Sequence, residues 1–594
     1  MEPRIQRLIE RGRRDPGLAY LVLALVAAVA LYAPTLGRGL VNYDDPWLYT
    51  NNAVLHHPSW AGVATVFTDL DSAQRYQLSP EYLPIRDLSV MADYAIWGEH
   101  YGGFHLTSLL VYLAAIAIWF AALCELGIPR PIAGLALLIW AVHPSHAESV
   151  AWLAERKGVL GMMWSGTCAL GYARYRAGRS AWWLVLAVTG GVFAVWSKAI
   201  AAFAVAALGP LELALPARRV SWRRSLLGLG AIATCTGLAY APVVALAVRW
   251  SIVGGASAPL PASRLVSVLG VHGFYLRLAA ATIANAVSYP IATAGPSALD
   301  LGLGALGFAA VIAALVRGSP VVRAAAIVWL FGWLPVGHLL LPLQMVFVAD
   351  RYLLVPSLGF ALAVAVGLAA IGRPGLRRIA IGAVVAALVL RALAAQAAWR
   401  SNEALWQRAI AANPDDGNAW AMYLEALDAD GRPDEAARVI DDALAHSRLP
   451  RLVLHAGLVA LREGRTDAAF ALFREAATRG DPRAMANYAN QLAARGQLAE
   501  ALRWARYATT ADPIYPNSHR IRGKIARLVD QHSPESLHAF ERAYQLEPDV
   551  AIDRYNLGIA YADAGRTAEA RALLESCVAD RGVGELARRA LAHL

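Results

Sequence analysis

The stretch Leu18–Leu36, LAYLVLALVAAVALYAPTL, followed by Val41–Trp47, VNYDDPW, decides the fold class. The first segment is apolar and close to the roughly 20 residues that a helix needs to cross a bilayer. The second places Asp44 and Asp45 where a membrane span meets water. Charges so close to lipid are costly and favour a functional role, and adjacent carboxylates raise one pKa. A general base fits this position, whereas an Asp-Asp-Pro turn that merely ends a helix is the structural alternative.

Composition predicts an all-α membrane protein with a water-soluble part attached. The chain has 594 residues, of which 57% are hydrophobic and 16% charged, and its mean hydropathy is +0.42. Apolar runs dominate up to Ala398, whereas the remainder is rich in Ala, Arg, Asp and Glu without a run of span length. We therefore expect a membrane domain over 1–398, with a long outer loop at 37–102, and an extracytoplasmic domain over 399–594.

The charge is unevenly distributed between these two parts. The net charge is +10, yet Ser401–Leu594 holds 24 basic and 27 acidic residues, so the basic excess lies in the membrane part. Short basic loops between spans set membrane orientation, and we therefore expect no nucleic-acid partner. The four cysteines have neither disulfide nor zinc spacing.

Hydropathy predicts about eleven transmembrane helices. Arginine clusters alternate between them, and placing every cluster in the cytoplasm gives one consistent topology. The segment 265–292 breaks this alternation, so we interpret it as a re-entrant or interfacial helix on the outer side. Aromatic residues in the outer loop predict helices on the membrane surface near 58–70 and 84–97. The predicted spans are 18–36, 103–125, 131–150, 157–175, 181–196, 199–216, 225–248, 299–316, 321–341, 352–372 and 377–396.

The C-terminal region has a period near 34 residues. Turn glycines recur at Gly431, Gly464, Gly496 and Gly565, with Asp530 at the turn where a glycine is missing. This is the tetratricopeptide pattern of paired helices, an α-solenoid in which small residues pack against large ones. About five such repeats would present a groove for a protein or peptide acceptor outside the cytoplasm, or act only as a spacer.

The remaining polar motifs fall on the outer side. His143, His146 and Glu148 combine metal-ligand side chains at short spacing, but Pro144 interrupts a helix there, which favours hydrogen bonding to a polar substrate and no metal site.

Four cations are candidates for binding a phosphate. Arg351 leads because an arginine binds phosphate bidentately, unless it only pairs with its neighbour Asp350; the others are Lys157, Lys198 and Arg277. A further ion pair, Arg86–Asp87, lies near the acidic turn. The predicted substrate pocket consists of His143, His146, Glu148, Arg86 and Asp350.

Several of these motifs together resemble the transmembrane and tetratricopeptide repeat-containing O-mannosyltransferases, which belong to the GT-C class of membrane glycosyltransferases. The motifs are the acidic turn, Gly103–Leu106, His143–Trp152 with Arg156-Lys157, Trp196–Lys198, and Ala349–Tyr352 with Pro356–Phe360.

This resemblance implies a GT-C membrane fold and an inverting transfer of a sugar, mannose in the eukaryotic relatives, from a polyprenyl-phosphate donor to a Ser or Thr hydroxyl. It places the catalytic acid of the family at Asp44 or Asp45. The composition suggests a bacterial member in the inner membrane with periplasmic repeats, using a lipid-linked donor and no obligatory cofactor. A non-enzymatic scaffold that recruits envelope proteins, and a transferase acting on a glycan or lipid, remain open.

Overall fold

The computed structural model describes residues 15–50, 52–70, 78, 81–215, 221–249, 261–340 and 346–594. These residues form helices and turns, and no strand occurs among them. The chain divides into two compact units, Met1–Asn413 and Pro414–Leu594. The boundary expected from composition, at 398/399, lies before the boundary between the two units. The reason is that the helix Asn402–Ala412 packs with the first unit, where Trp406 Nε1 donates to Asn42 Oδ1 at 2.6 Å.

The first half of the membrane unit surrounds a large apolar core. Its helices are α1 Pro16–Tyr32, α2 Trp60–Thr68, α3 Pro84–Trp97, α4 Tyr101–Leu126, α5 Arg130–Ala141, α6 His146–Ala151, α7 Arg156–Arg176, α8 Trp182–Ser197, α9 Ala201–Ala206 and α10 Leu208–Ala214. The two helices expected in the outer loop near 58–70 and 84–97 correspond to α2 and α3.

The second half of this unit also consists of helices, several of them joined by long connecting segments. Its helices are α11 Trp222–Arg249, α12 Pro261–Ala279, α13 Ala298–Arg317, α14 Pro320–Trp333, α15 Pro356–Ala369, α16 Pro374–Ala397 and α17 Asn402–Ala412. Short helical turns lie at Ala33–Gly37, Pro46–Thr50, Ala53–His56, Leu153–Glu155, Ile291–Ala294, Asp350–Leu353 and Ala398–Arg400.

Five helices among the described residues are long and apolar enough to cross a membrane: Pro16–Gly37, Tyr101–Leu126, Trp222–Val248, Ala298–Arg317 and Pro374–Arg400. Five shorter apolar helices accompany them, at Arg130–Ala141, Trp182–Ser197, Ala201–Ala214, Pro320–Trp333 and Pro356–Ala369. The prediction of an all-α membrane protein is confirmed. About eleven spans were predicted, however, and the predicted span 157–175, helix α7, is in neither group.

Prolines shorten three of the predicted spans. The span expected at 131–150 ends at Ala141, because Pro144 disfavours helix at the preceding residue and removes a backbone donor. The span expected at 199–216 is divided into α9 and α10, since the Pro210 ring disrupts the helix one turn earlier. The span expected at 352–372 starts at Pro356, a favoured first helical residue.

The segment 265–292 is a helix only as far as Ala279. Helix α12 packs against α13, and its His272 is buried, accepting a hydrogen bond from Trp329 Nε1 at 3.0 Å. Beyond α12 the chain turns at Ala281, which has a positive φ of 53°. The second half of the segment is therefore irregular.

The second unit, described throughout, is a row of five helix pairs followed by a terminal helix, which confirms the predicted repeats. The pairs are α18 Gly417–Ala429 with α19 Pro433–His446, α20 Pro450–Arg462 with α21 Thr466–Thr478, α22 Pro482–Ala494 with α23 Leu498–Ala511, α24 Pro516–Val529 with α25 Pro534–Leu546, and α26 Ala551–Asp563 with α27 Thr567–Cys577; α28 is Gly584–Ala592.

Small residues allow the helices of a pair to approach closely. A Cβ at Gly457 would lie 2.6 Å from Phe473 Cε1, and a Cβ at Gly523 would lie 2.8 Å from Phe540 Cε1. Both glycines occupy the same position of their repeats, so the large residue of the second helix requires a missing side chain on the first. This confirms the small-against-large packing predicted from the period.

Candidate active site

The two aspartates of the first outer loop have different surroundings. Asp45 is buried, and its two carboxylate oxygens accept hydrogen bonds from the backbone N–H of Val41 at 2.9 Å and of Ala154 at 3.0 Å. Asp44 is solvent-exposed. Asp45 therefore fixes the loop against the segment that follows α6, and Asp44 is presented to solvent.

The electrostatic environment raises both pKa values. Burial raises the pKa of Asp45 to about 7, against the effect of the two backbone N–H donors. The pKa of Asp44 is also raised: the surrounding protein disfavours its charge, while Lys157 and Arg351 favour it. A carboxylate with a raised pKa that reaches solvent is suited to accept a proton.

An aromatic stack begins at the residue before Asp44. Tyr43 stacks on Trp152 with ring centroids 4.7 Å apart, and Trp152 stacks on Trp399 at 5.4 Å. The guanidinium of Arg351 lies 5.5 Å from the centroid of the Trp152 ring. Trp152 and Trp399 are buried, so the stack connects the acidic turn to the arginine predicted to bind phosphate.

Three of the four predicted cations form a group with three carboxylates, which we name the charge cluster: Lys157, Lys198, Arg351, Glu81, Glu148 and Glu155. Lys157 Nζ lies 2.7 Å from Glu81 Oε2, and Lys198 pairs with the fully buried Glu155. The Nε atom of Arg351 lies 3.9 Å from Glu155 Oε2. Lys157 and Arg351 both act on the charge of Asp44.

Arg351 is held by Glu148 and not by its neighbour Asp350. Its guanidinium pairs with Glu148, whose other carboxylate oxygen accepts the backbone N–H of Arg351 at 2.8 Å. Asp350 faces elsewhere and accepts from Asn285 Nδ2 at 2.8 Å and from the Tyr289 hydroxyl. An ion pair between Arg351 and its neighbour Asp350 was the structural alternative for this arginine. Arg351 pairs with Glu148 instead, and this pair joins α6 to the turn before α15.

The two histidines after α5 are buried structural residues. His143 Nε2 contacts the carbonyl oxygen of Ala279 at 2.8 Å, and His146 Nε2 contacts Ser357 Oγ at 2.9 Å. Their other ring nitrogens also have protein partners, the Ser145 and Tyr112 hydroxyls. Neither side chain is available to a substrate, and within the described ranges no three metal-ligating side chains lie together.

Two further predicted residues lie in separate ion pairs. Arg86 Nε pairs with Asp87 Oδ1 at 2.6 Å, and both side chains are buried at the start of α3. Arg277 Nη1 pairs with Asp300 Oδ1 at 2.8 Å, joining α12 to α13. Arg277 is therefore engaged by a carboxylate outside the charge cluster.

Sequence reasoning missed both carboxylates that pair with the lysines. Glu155 pairs with Lys198, 43 residues away, and its position two residues before Lys157 does not predict that partner. Glu81 lies in the outer loop, and no local pattern connects it to Lys157, 76 residues away. The stacking of Trp152 likewise depends on a contact that only the fold brings about.

Comparison with known proteins gives a partial match. Over 117 residues the chain is 34% identical to the protein O-mannosyl-transferase Tmtc2 of Drosophila melanogaster, a match that covers 19% of this chain and 12% of the fly protein. This agrees with the family resemblance of the sequence motifs. No protein-family model matches the chain.

Solved structures are similar to parts of this chain at low TM-scores. The Archaeoglobus fulgidus oligosaccharyltransferase AglB, in complex with an inhibitory peptide and a dolichol-phosphate, has a TM-score of 0.37 and 17% identity and covers 71% of this chain and 59% of its own. ArnT from Cupriavidus metallidurans, bound to undecaprenyl phosphate, has a TM-score of 0.33 and 15% identity over 78% and 81%. The tetratricopeptide protein YrrB has a TM-score of 0.25 and 20% identity over 31% and 96%.

Proposed function

We propose that this protein is a membrane glycosyltransferase of the GT-C class that moves a sugar from a polyprenyl-phosphate donor to a hydroxyl acceptor. The observation that carries the proposal is the arrangement around Asp44. Its carboxylate is exposed, its neighbour Asp45 is fixed by two backbone hydrogen bonds, and the cations Lys157 and Arg351 act on its charge. In this proposal Asp44 is the base, and Lys157 and Arg351 are the cations that act on the donor phosphate.

The chemistry is a single displacement. The acceptor oxygen forms a bond to C1 of the sugar as the bond between C1 and the phosphate oxygen breaks, and the electron pair of that bond stays on the phosphate. Asp44 takes the proton of the acceptor hydroxyl, while the cations of the charge cluster stabilise the charge that develops on the leaving phosphate. Attack opposite the leaving group inverts the configuration at C1.

The sugar, acceptor and location follow from the family resemblance and from the partial similarity to Tmtc2. We propose mannose as the sugar and Ser or Thr of a protein as the acceptor, bound through the repeats. Undecaprenyl phosphate would carry the sugar in a bacterial inner membrane, with the repeats in the periplasm. Arg351, Lys157 and Lys198 are the residues that we propose to stabilise the donor phosphate.

A transfer assay with the purified full-length protein tests this function. The protein is incubated with a polyprenyl-phosphate-mannose donor of defined anomeric configuration and with Ser/Thr-containing protein acceptors, and the product anomer is determined by NMR. Formation of the inverted glycoside supports the proposal. A retained configuration contradicts the single displacement, and absence of transfer from any polyprenyl-phosphate sugar favours the scaffold hypothesis.

A further inference from the structure

The charge cluster is electrically balanced before any donor binds. Lys157, Lys198 and Arg351 contribute three positive charges, and Glu81, Glu148 and Glu155 contribute three negative ones, each cation having a carboxylate partner. Asp44 adds one further carboxylate beside them. A donor phosphate brings more negative charge, so direct binding requires one cation to exchange its protein carboxylate for the phosphate.

Two of the three cations are poorly suited to that exchange. The side chains of Glu148 and Glu155, the partners of Arg351 and Lys198, are 2% and 0% exposed. Displacing either carboxylate leaves it buried without its cation, which is strongly unfavourable. Glu148 is additionally bound to the backbone N–H of Arg351. We expect these two ion pairs to remain intact when the donor binds, so that Arg351 and Lys198 interact with the phosphate electrostatically without contacting it.

Lys157 differs because its partner reaches water. The Glu81 side chain is 43% exposed and that of Lys157 is 18% exposed. Ion pairs with solvent access are easier to separate than buried ones, since water solvates the separated charges. A displaced Glu81 carboxylate becomes hydrated instead of buried, so this exchange is the least costly of the three.

We infer that Lys157 binds the donor phosphate directly, and that Glu81 forms an ion pair with Lys157 until the donor phosphate displaces the Glu81 carboxylate. This inference rests on the proposed function and makes Glu81 an internal competitor of the donor. When the sugar has left and the lipid phosphate is released, Glu81 pairs with Lys157 again. Glu81 thereby weakens binding of both donor and lipid-phosphate product.

Binding of undecaprenyl phosphate to the purified full chain in detergent tests the inference. Glu81→Gln preserves shape and removes the charge, and we expect its Kd to fall about two- to fivefold, the scale of an exposed ion pair. Glu99→Gln is the matched control, because Glu99 lies in the same outer loop, pairs with His56 at 3.2 Å and has a side chain that is 75% exposed. Its Kd should equal that of the wild type.

Lys157→Gln should weaken binding at least tenfold, and adding Glu81→Gln in that background should change nothing further, because the two residues act through one contact. In the transfer assay, Glu81→Gln should lower KM for the donor and strengthen inhibition by undecaprenyl phosphate. A purely structural role of Glu81 would not produce this pattern. Glu81→Ala replaces Glu81→Gln if the latter unfolds at a lower temperature than the wild type.

An unchanged or larger Kd in Glu81→Gln, with binding and transfer intact in the wild type, overturns the inference and leaves the proposed function standing. The inference is also overturned if Glu81→Gln lowers the Kd as much in the Lys157→Gln background as in the wild type. A wild-type protein that neither binds undecaprenyl phosphate nor transfers sugar overturns both.

Discussion

The buried carboxylate of Asp45 accepts a hydrogen bond from the backbone N–H of Ala154 at 3.0 Å, across 109 residues of sequence. This contact holds the first outer loop against the segment that carries Glu155 and Lys157. It therefore fixes the exposed Asp44 relative to the charge cluster. We propose that the two aspartates have different roles: Asp45 positions the turn, and Asp44 acts on the substrate.

Asp45→Asn should lower both stability and activity, the latter less than loss of Asp44 does. The amide offers one acceptor oxygen in place of two, so the N–H of Val41 or Ala154 faces an NH2 group. Leaving a buried donor unsatisfied costs about 1–3 kcal/mol. Thermal unfolding and kcat/KM measured together check this expectation, and unchanged values for both would show that the Asp45 contacts do not position the turn.

The pH dependence of stability should carry the signature of Asp45. Because burial raises its pKa to about 7 in the folded protein, above the ordinary value of about 3.9 for an unfolded aspartate, its protonated form favours folding. That contribution is fully present below about pH 4 and is lost as pH rises through 7. Unfolding temperatures between pH 5 and 8 should fall more in the wild type than in Asp45→Asn, and parallel curves would contradict the assignment.

Arg351→Lys should reduce transfer strongly although it keeps the charge. A lysine lacks the planar group that lies near Trp152 and pairs with the buried Glu148. We expect a loss of kcat/KM on the order of tenfold or more, scaled from the roughly 1.5–3 kcal/mol of a hydrogen bond to a charged group. Arg130→Lys, at a half-exposed arginine paired with Asp15, is the control. Equal activity of both variants would remove Arg351 from the site.

The repeats should select the acceptor. On α24, Arg520, Lys524 and Arg527 share one helix face, and the two arginines pair with Asp553 and Asp563 of α26. Lys524 is exposed between them. Lys524→Glu should raise KM for a protein acceptor several-fold and leave KM for a short Ser/Thr peptide unchanged. The exposed Arg503→Glu on the second helix of the preceding pair is the matched charge reversal, and equal effects would indicate a general change of charge.

Local patterns predicted the helices and the repeats because both depend on spacing along the chain. The turn glycines Gly431, Gly464 and Gly496 reveal the helix pairs through their spacing, and the run Leu18–Leu36 reveals a membrane helix through its length. The partners in the site could not be predicted in this way. Asp350 stands beside Arg351 in sequence, yet Glu148, 203 residues away, is the carboxylate that the fold brings to it.

The same limit explains the histidines after α5. His143 and His146 combine ligand chemistry with outer-loop placement, which favoured a substrate pocket. The fold buries both against Ala279 and Ser357, contacts between segments far apart in sequence. Side-chain type alone does not distinguish a buried hydrogen-bonding histidine from one that faces a ligand.

Sugar transfer by Asp44→Asn tests the central claim most directly. The substitution preserves size and removes the base, while Asp45 and the cations remain. With a polyprenyl-phosphate-mannose donor, we expect kcat to fall about 10²- to 10⁴-fold, the range of general-base catalysis, with binding of undecaprenyl phosphate retained. Wild-type turnover in Asp44→Asn would contradict the assignment of the catalytic base to the Asp44 carboxylate.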